Sequence, residues 1–367
     1  MDNDHLNRHL HLRAYACIDQ KNLIRNLDTL KALHPNKQII LMLKANAYGH
    51  GLLKIAELLD GRCDYFGVAS VEEGVKLRNH GVIKSQIMIF SGFFCAKLSQ
   101  ALIEFKLIPV IHSLYQIDDL KNYLRQEFAE IWLKVNTGMN RLGLNQYDFE
   151  KAYQQLAKKH TINVMTHLAE SENPDPRFTQ QQLACFYQRI RNKNFQHISA
   201  FNSSAVLFHP FEDHTDTIRV GLALYGALTL SKTQYSKPLA PVMSLYSRII
   251  AIQHLKPGDS VGYNRQYIAD KIKKIAIVSI GYGDGYPQMT PNGTPVIINN
   301  QRYPTVGKVS MDLMAVDITN APETITIGTS VMLFGSALPI EEVAHAIGTS
   351  PYALMTGISP RVQRVYE

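Results

Sequence analysis

Between about residues 20 and 226, short apolar runs rich in Val, Ile and Phe alternate with stretches whose apolar positions recur at helical spacing. The runs QIILML, YFGVAS, QIMIFSG, IPVIHS, IWLKVN, INVMTHL, HISAFN and TIRVGLALYG read as buried strands. SVEEGVKLRNHG, YDFEKAYQQLAKKH and RFTQQQLACFYQRIRN read as helices between them, while the link after the seventh strand is short and its pattern indistinct. Eight strands in βα alternation predict an α/β fold of the closed (β/α)8 TIM-barrel type. A doubly wound open sheet is the alternative, but no GxGxxG turn supports it.

After about residue 235 the texture changes. PLAPVMSLYSRIIAIQHLKPGDSVGYNRQY, KKIAIVSIGYGDGYP, TPVIINNQRYPTVGKVSMDLMAVDI and GTSVMLFG are β-rich and broken by Gly, Pro and Asn-Asn turns. Helical periodicity returns only briefly, in PIEEVAHAIG. The pattern predicts a barrel over 20–234 and a mainly β C-terminal domain over 235–367, joined by an N-terminal strand at 12–19 (RAYACID).

Composition narrows the chemistry. The 367 residues carry a net charge of +7 that is spread along the chain, with no basic block to make a nucleic-acid stripe. Cys17, Cys63, Cys95 and Cys185 lie far apart and read as reduced thiols. The polar start has no apolar leader, and no run is long enough to span a membrane, so a cytoplasmic location is expected. His5, His9 and His11 lack carboxylate or cysteine company at ligand spacing, and no metal is expected.

Barrel enzymes build their sites where the C-terminal ends of the strands meet. In this register Lys44 ends the first strand, Lys134 closes the fifth with Arg141 after it, His167 ends the sixth, Asn202 and Ser203 the seventh, and Arg219 lies in the eighth. NSSA and RVGLALYG fall where barrels commonly bind phosphate. A lysine suited to Schiff-base chemistry beside such a site points to pyridoxal phosphate.

The ordered motifs KANAYGHG, LKVNTGMNRLG, MTHLAES, FNSSA, RVGLALYG, SIGYGDGYP, PTVGKVSMD and GISPRVQRVY resemble those of the alanine racemase family over nearly the whole chain. The resemblance implies interconversion of L-alanine and D-alanine with pyridoxal 5'-phosphate, in a homodimer that shares its active sites. It makes Lys44 the covalent anchor of the cofactor. Tyr48, Asn202, Ser203, Gly221, Leu222 (through its backbone N–H) and Tyr352 would line the phosphate pocket, and His167 would stack on the pyridine ring. Arg219 would face the ring nitrogen. An arginine there is a permanent cation that only donates, so it leaves that nitrogen unprotonated and favours return of the proton to Cα over transamination.

Racemisation needs a proton-transfer group on each face of Cα. The resemblance assigns one face to Lys44 and the other to Tyr282, whose weakly acidic phenol calls for neighbouring positive charge. It also implies that Arg141, Met311 and Asp312 hold the substrate carboxylate, and that Lys134 occupies a position carbamylated in many members. Asn136 and Ala353 depart from the family's usual aspartate and glutamate. A broad-specificity amino-acid racemase and a noncatalytic pyridoxal phosphate carrier stay open as alternatives. The carrier fits less well because GYGDGYP and VGKVSMD are present, and a barrel decarboxylase would want a carboxylate where Arg219 stands.

Overall fold

Strands buried on both faces are predominantly apolar, and the barrel strands of this chain follow that pattern, with Lys134 and Arg219 among the buried exceptions. The computed structural model describes residues 9, 11–126, 129–208, 214–228 and 239–367. Its residues divide into two compact units, the described parts of 28–224 and of 1–27 with 225–367. The expected domain boundary at 234/235 lies outside the described residues, as does His5.

After β1 (Ala14–Ile18) and the helix Gln20–Leu33 come the barrel strands. They are β2 (Gln38–Met42), β3 (Tyr65–Val68), β4 (Gln86–Ile89), β5 (Leu107–Ile111), β6 (Ile131–Lys134), β7 (Ile162–Met165), β8 (Ile198–Ser199) and β9 (Thr217–Val220). Each lies within one of the eight apolar runs except β5, which begins one residue before IPVIHS, at Leu107. The parallel order is β8-β7-β6-β5-β4-β3-β2-β9. Backbone bonds from Asp216 N to Ile198 O (3.1 Å) and from Arg219 N to Phe201 O (3.0 Å) close β8 against β9. The result is the eight-stranded barrel with its helices.

Helices cover the barrel through narrow apolar stripes. Leu52–Leu59 buries Leu52, Ile55, Ala56 and Leu59, and Arg177–Ile190 buries Thr179, Gln182, Phe186 and Ile190, both at the three-and-four spacing of one helical face. The indistinct seventh link holds a short helix, Ser203–Phe208. At the N-terminal end of the barrel the Glu130 carboxylate accepts from Trp132 Nε1 (2.7 Å), Asn163 Nδ2 (2.7 Å) and Tyr65 Oη (3.1 Å). One acid thereby joins β3, β6 and β7 at that end of the barrel.

The second unit is built from β1 and from β10 (Met243–Leu255), β11 (Ser260–Val261), β12 (Tyr267–Ile268), β13 (Lys273–Val278), β14 (Pro295–Ile298), β15 (Gln301–Val306), β16 (Met314–Asp317), β17 (Ser330–Phe334) and β18 (Gln363–Tyr366). The order β13-β16-β15-β14-β17-β10-β1-β18, with β13 also paired to β10, makes six strands return on themselves. The long β10 permits this: Leu245–Arg248 pair with β17, and Ile249–Leu255 pair with β13 beyond a register shift. β1 lies antiparallel to β10 and parallel to β18. Ser350 caps a helix, Pro351–Gly357, that the hydrophobic pattern does not announce. No helix among the described residues is long and apolar enough to cross a membrane.

β1 is covered on both edges, so it is a structural member of the second unit rather than a loose leader. Ala16 is fully buried between Leu245 and Arg364. Ala16→Asp should cost at least about 3 kcal/mol, since the new carboxylate has no partner. Denaturant unfolding followed by circular dichroism measures this; a loss below about 1 kcal/mol would mean that β1 can leave the sheet without penalty.

Candidate active site

The residue that opens the barrel mouth is followed by backbone of unusual hand. β2 ends at Met42, and Lys44 begins a turn in which Ala45, Asn46, Ala47 and Tyr48 all have φ between 52° and 58°. Left-handed helical backbone costs L-residues roughly 1–2 kcal/mol each, so the surroundings must impose it. Ala47 N donates to Leu43 O (2.7 Å), Gly49 N to Ala45 O (3.0 Å) and Gly51 N to Asn46 O (2.9 Å), giving successive left-handed turns their own bonds. The Glu73 carboxylate accepts from Ala45 N (2.9 Å) and Ala69 N (2.8 Å), tying the turn to the loop after β3. Asn46 Oδ1 accepts from Leu52 N (2.8 Å) and joins the turn to the next helix. The turn ends at Gly49, φ 82°, where glycine carries no such penalty.

Arg219 is the most constrained group in the mouth. Its side chain is buried, and none of its partners among the described residues is a carboxylate. Nη1 donates to Ser199 O (3.0 Å) and Ser199 Oγ (2.6 Å). Nη2 donates to Thr166 O (2.6 Å) and Ala200 O (3.0 Å), and lies 3.4 Å from His167 Nδ1. Nε takes part in none of these bonds. Burial pushes the guanidinium down to about 9, which leaves it charged at neutral pH. A donor facing His167 Nδ1 needs that nitrogen bare. Burial first, then Arg219, Lys134, Arg141 and Lys44, hold His167 well below its usual range, so the imidazole is neutral.

Two lysines share this field. Burial lowers Lys44, Arg141 and Arg219 lower it further, and Glu73 opposes them. Lys134, at the end of β6, is pushed down to about 7 by burial and then by Arg219, Arg141 and Lys44. Arg141 is exposed and forms no hydrogen bond or ion pair among the described residues. Four cationic side chains thus converge around one neutral histidine, with Glu73 as the acid among their neighbours. Such a cluster calls for anions from outside the chain.

The phosphate-binding expectation falls on β8 and β9. Ser203 Oγ accepts from Gly221 N (2.8 Å) and Ala223 N (3.5 Å), which leaves its O–H to donate. A Cβ on Gly221 would stand 2.4 Å from Tyr48 Oη, so the glycine is what lets the phenol sit over this turn. Asn202 Oδ1 caps the helix at Ala205 N (3.0 Å) and accepts from Ser171 Oγ (2.7 Å). Leu222 opens a short 3-10 turn and is buried. Hydroxyls and amides gather here without a carboxylate, a donor set that fits the phosphate of pyridoxal phosphate.

The other expected residues belong to the second unit. Tyr282 opens a 3-10 turn, Tyr282–Asp284, whose amides bond the VSMD segment: Tyr282 N to Ser310 O (3.0 Å) and Gly283 N to Met311 O (2.8 Å). This places Tyr282 beside Met311 and Asp312. A Cβ on Gly281 would meet Ser310 O at 2.2 Å, which fixes a glycine before Tyr282. Beneath the turn Asp284 is fully buried and receives Arg13 Nη1 (3.0 Å), Gly281 N (3.1 Å) and, at 3.5 Å, Arg361 Nε. Arg361 also pairs with Asp312 (2.5 Å). Tyr352 lies on the helix Pro351–Gly357.

Sequence reasoning did not single out Glu73, Arg13, Asp284 or Arg361. Glu73 had a local signal, since it is the third residue after Ser70, the N-cap of Val71–Asn79. The three-membered pairing of Arg13, Asp284 and Arg361 spans both ends of the chain and had none. Asn136 has a clear local role: its Oδ1 accepts from Gly138 N and Asn140 N, both at 3.1 Å, and shapes the loop before Arg141.

The low value for Lys134 has a thermodynamic consequence. An unfolded lysine keeps its proton up to about 10.5, whereas folded Lys134 releases it near 7. The unfolded state therefore binds more protons between those values, and native stability gained from deprotonation rises with pH across that window. In carbon-dioxide-free buffer, Lys134→Met should raise the melting temperature most below pH 7, with the gain shrinking towards pH 10.5. A gain independent of pH would show that Lys134 is not held as a strained cation.

This geometry has close parallels in known proteins. The family models for the alanine racemase N-terminal and C-terminal domains match residues 18–229 and 242–366. The alanine racemase of Shewanella sediminis is 40% identical over 95% of this chain and 97% of its own length. The biosynthetic alanine racemase of Pseudomonas aeruginosa superposes with a TM-score of 0.91 at 33% identity, covering 97% of this chain and 99% of its own. The Bartonella henselae alanine racemase, solved with covalently bound pyridoxal phosphate, gives 0.89 at 28% identity, over 97% of this chain and 100% of its own. With both domain models matched in order and a relative this similar over nearly its full length, the chain belongs to the alanine racemase family.

Proposed function

We propose that this chain interconverts L-alanine and D-alanine with pyridoxal 5'-phosphate held in the barrel mouth. The observation that carries the reading is the convergence of Lys44, Lys134, Arg141 and Arg219 on a neutral His167, in a chain whose residues 18–229 and 242–366 match the two domain models. Bound pyridoxal phosphate supplies an electron-withdrawing ring that acidifies the Cα–H of an amino acid joined to it.

The chain's own groups do the rest. Lys44 anchors the cofactor; Tyr48, Ser203, Gly221, Leu222 and Tyr352 hold its phosphate, with Asn202 fixing the loop. His167, neutral and flat, covers the ring. Arg219 turns a donor that it cannot give up towards the ring nitrogen and keeps that nitrogen unprotonated. Arg141, without a hydrogen-bond or ion-pair partner among the described residues, takes the substrate carboxylate, with Met311 and Asp312 beside it. Lys44, lowered by burial and by its cationic neighbours, removes or returns the Cα proton on one face. Tyr282 serves the other face.

Lys134 is the natural position for a carbamate. Only a neutral amine attacks carbon dioxide, forming the N–C bond and releasing one proton, and a value of about 7 keeps much of this one neutral at physiological pH. The carbamate's negative charge would hold Arg141 in place. Cytoplasmic residence and a homodimer complete the reading. The solvent exposure of Tyr282 (38%), Met311 (52%) and Tyr352 (36%) in the single chain supports a site completed by a partner subunit.

The reading has direct tests. Borohydride should bleach the yellow protein and leave the reduced cofactor on the peptide containing Lys44; label on another lysine sinks the assignment. A racemisation assay on a panel of L-amino acids, with and without added cofactor, should show alanine far ahead, and equal rates across the panel would favour a broad-specificity enzyme. Protein equilibrated with carbon-13 bicarbonate should show a carbamate resonance that Lys134→Ala removes; its absence in the unsubstituted protein rejects the modification.

Assembly has its own measurement. Lys44→Ala and Tyr282→Phe should each be nearly inactive. In a two-fold dimer with shared sites, a mixed species carries both lesions in one site and none in the other. After free subunit exchange at equal amounts, activity should recover to about a quarter of the unsubstituted level. No recovery after verified exchange would put Lys44 and Tyr282 of one chain in the same site.

A further inference from the structure

Beyond Met165 the chain runs out of β7, yet His167 must be held still. Thr166 N still reaches β8 through Ser199 O (3.0 Å), but the next residues have no strand to pair with. The side chain of Gln182, on the helix Arg177–Ile190, takes that place. Its Oε1 accepts from Ala169 N (2.8 Å) and its Nε2 donates to His167 O (3.3 Å). In a parallel ladder, one residue bonds the carbonyl before and the amide after the residue that it faces. The carboxamide of Gln182 makes this pair of bonds around Leu168, so it acts as a one-residue strand.

The same amide is tied inward. Nε2 also reaches Thr137 Oγ1 (3.4 Å), which is 2.7 Å from Thr166 Oγ1, and Thr166 Oγ1 donates to Val135 O (3.0 Å). Thr166 O is in turn an acceptor for Arg219 Nη2 at 2.6 Å. Gln182 is 1% exposed, and Thr137 and Thr166 are buried with it. A buried glutamine on the apolar stripe of a helix is costly unless its hydrogen bonds are made. Here every bond goes to the segment that carries His167 or to the threonine pair beside it.

We propose that Gln182 is a positioning residue for His167 and Arg219, setting the height of the imidazole and of the carbonyl that aims the guanidinium. The inference rests on the reading that these two residues face the cofactor ring. Displacing them alters how firmly the ring nitrogen is kept unprotonated, and with it the partition between racemisation and transamination. Gln182→Met removes all three bonds at similar volume. Gln182→Glu keeps an acceptor for Ala169 N and loses the donors to His167 O and Thr137 Oγ1.

The test uses the holoenzyme, with Arg219→Glu as the reference. In Gln182→Met and Gln182→Glu, kcat should fall about tenfold or more, as expected when groups that orient the reacting centre are displaced. Transamination events per racemisation turnover should rise, and the visible absorption maximum of the bound cofactor should move. A merely structural glutamine would lower the melting temperature and leave partition and absorption unchanged, and that result overturns the proposal whatever happens to kcat. Should Gln182→Met fail to fold, the near-isosteric Gln182→Glu decides. If Arg219→Glu itself leaves the partition unaltered, the role of Arg219 is wrong; if it shifts the partition and the Gln182 variants do not, only the positioning role is wrong.

Discussion

The mouth of the barrel depends on one buried cation held by carbonyl oxygens. Arg219 reaches from β9 to the ends of β7 and β8 through Ser199, Ala200 and Thr166. A carboxylate partner would neutralise the guanidinium. Backbone carbonyls leave its charge intact, and that charge then acts on everything near it. It lowers His167, Lys134 and Lys44, although burial is the larger cause for each. The same bonds stitch β7, β8 and β9 where the barrel closes, so removal of Arg219 would alter shape and field together.

The fold was legible because parallel barrel strands, apolar on both faces, stand out from amphipathic helices without long-range information. Lys134, closing an apolar run, and Arg219, within one, were legible for the same reason. Their electrostatics were not, since the depression of Lys134 depends on burial and on cations brought from other strands. Gln182 reads in sequence as one more polar residue in a QQQ run, and only the helix packing reveals that it faces inward. The helix Pro351–Gly357 is too short for a clear period; the Ser-Pro pair at its start was its one local signal.

The second unit solves a different problem. Tyr282 sits on a 3-10 turn with little regular structure of its own. The buried Asp284 supplies the anchor, drawing on Arg13 just before the first strand and Arg361 near the end of the chain. Burying that carboxylate is tolerable because two guanidinium groups and a backbone amide receive it, whereas an unpaired one would be strongly destabilising. Arg361 extends the same pairing to Asp312. These pairings tie the Tyr282 turn and the Asp312 loop to the segment that precedes β1.

The turn that presents Lys44 has a stereochemical meaning of its own. Ala45 and Ala47 occupy backbone with φ of 53°, a region where an L-alanine is strained and its mirror image is at rest. A chain that handles both hands of alanine thus holds two of its own L-alanines in the posture natural to the other hand. At these positions handedness is a cost borne by the covalent chain itself. A protein made by chemical ligation with D-alanine at 45 and 47 would relieve that strain, and the mirror-image residue would be the more comfortable occupant.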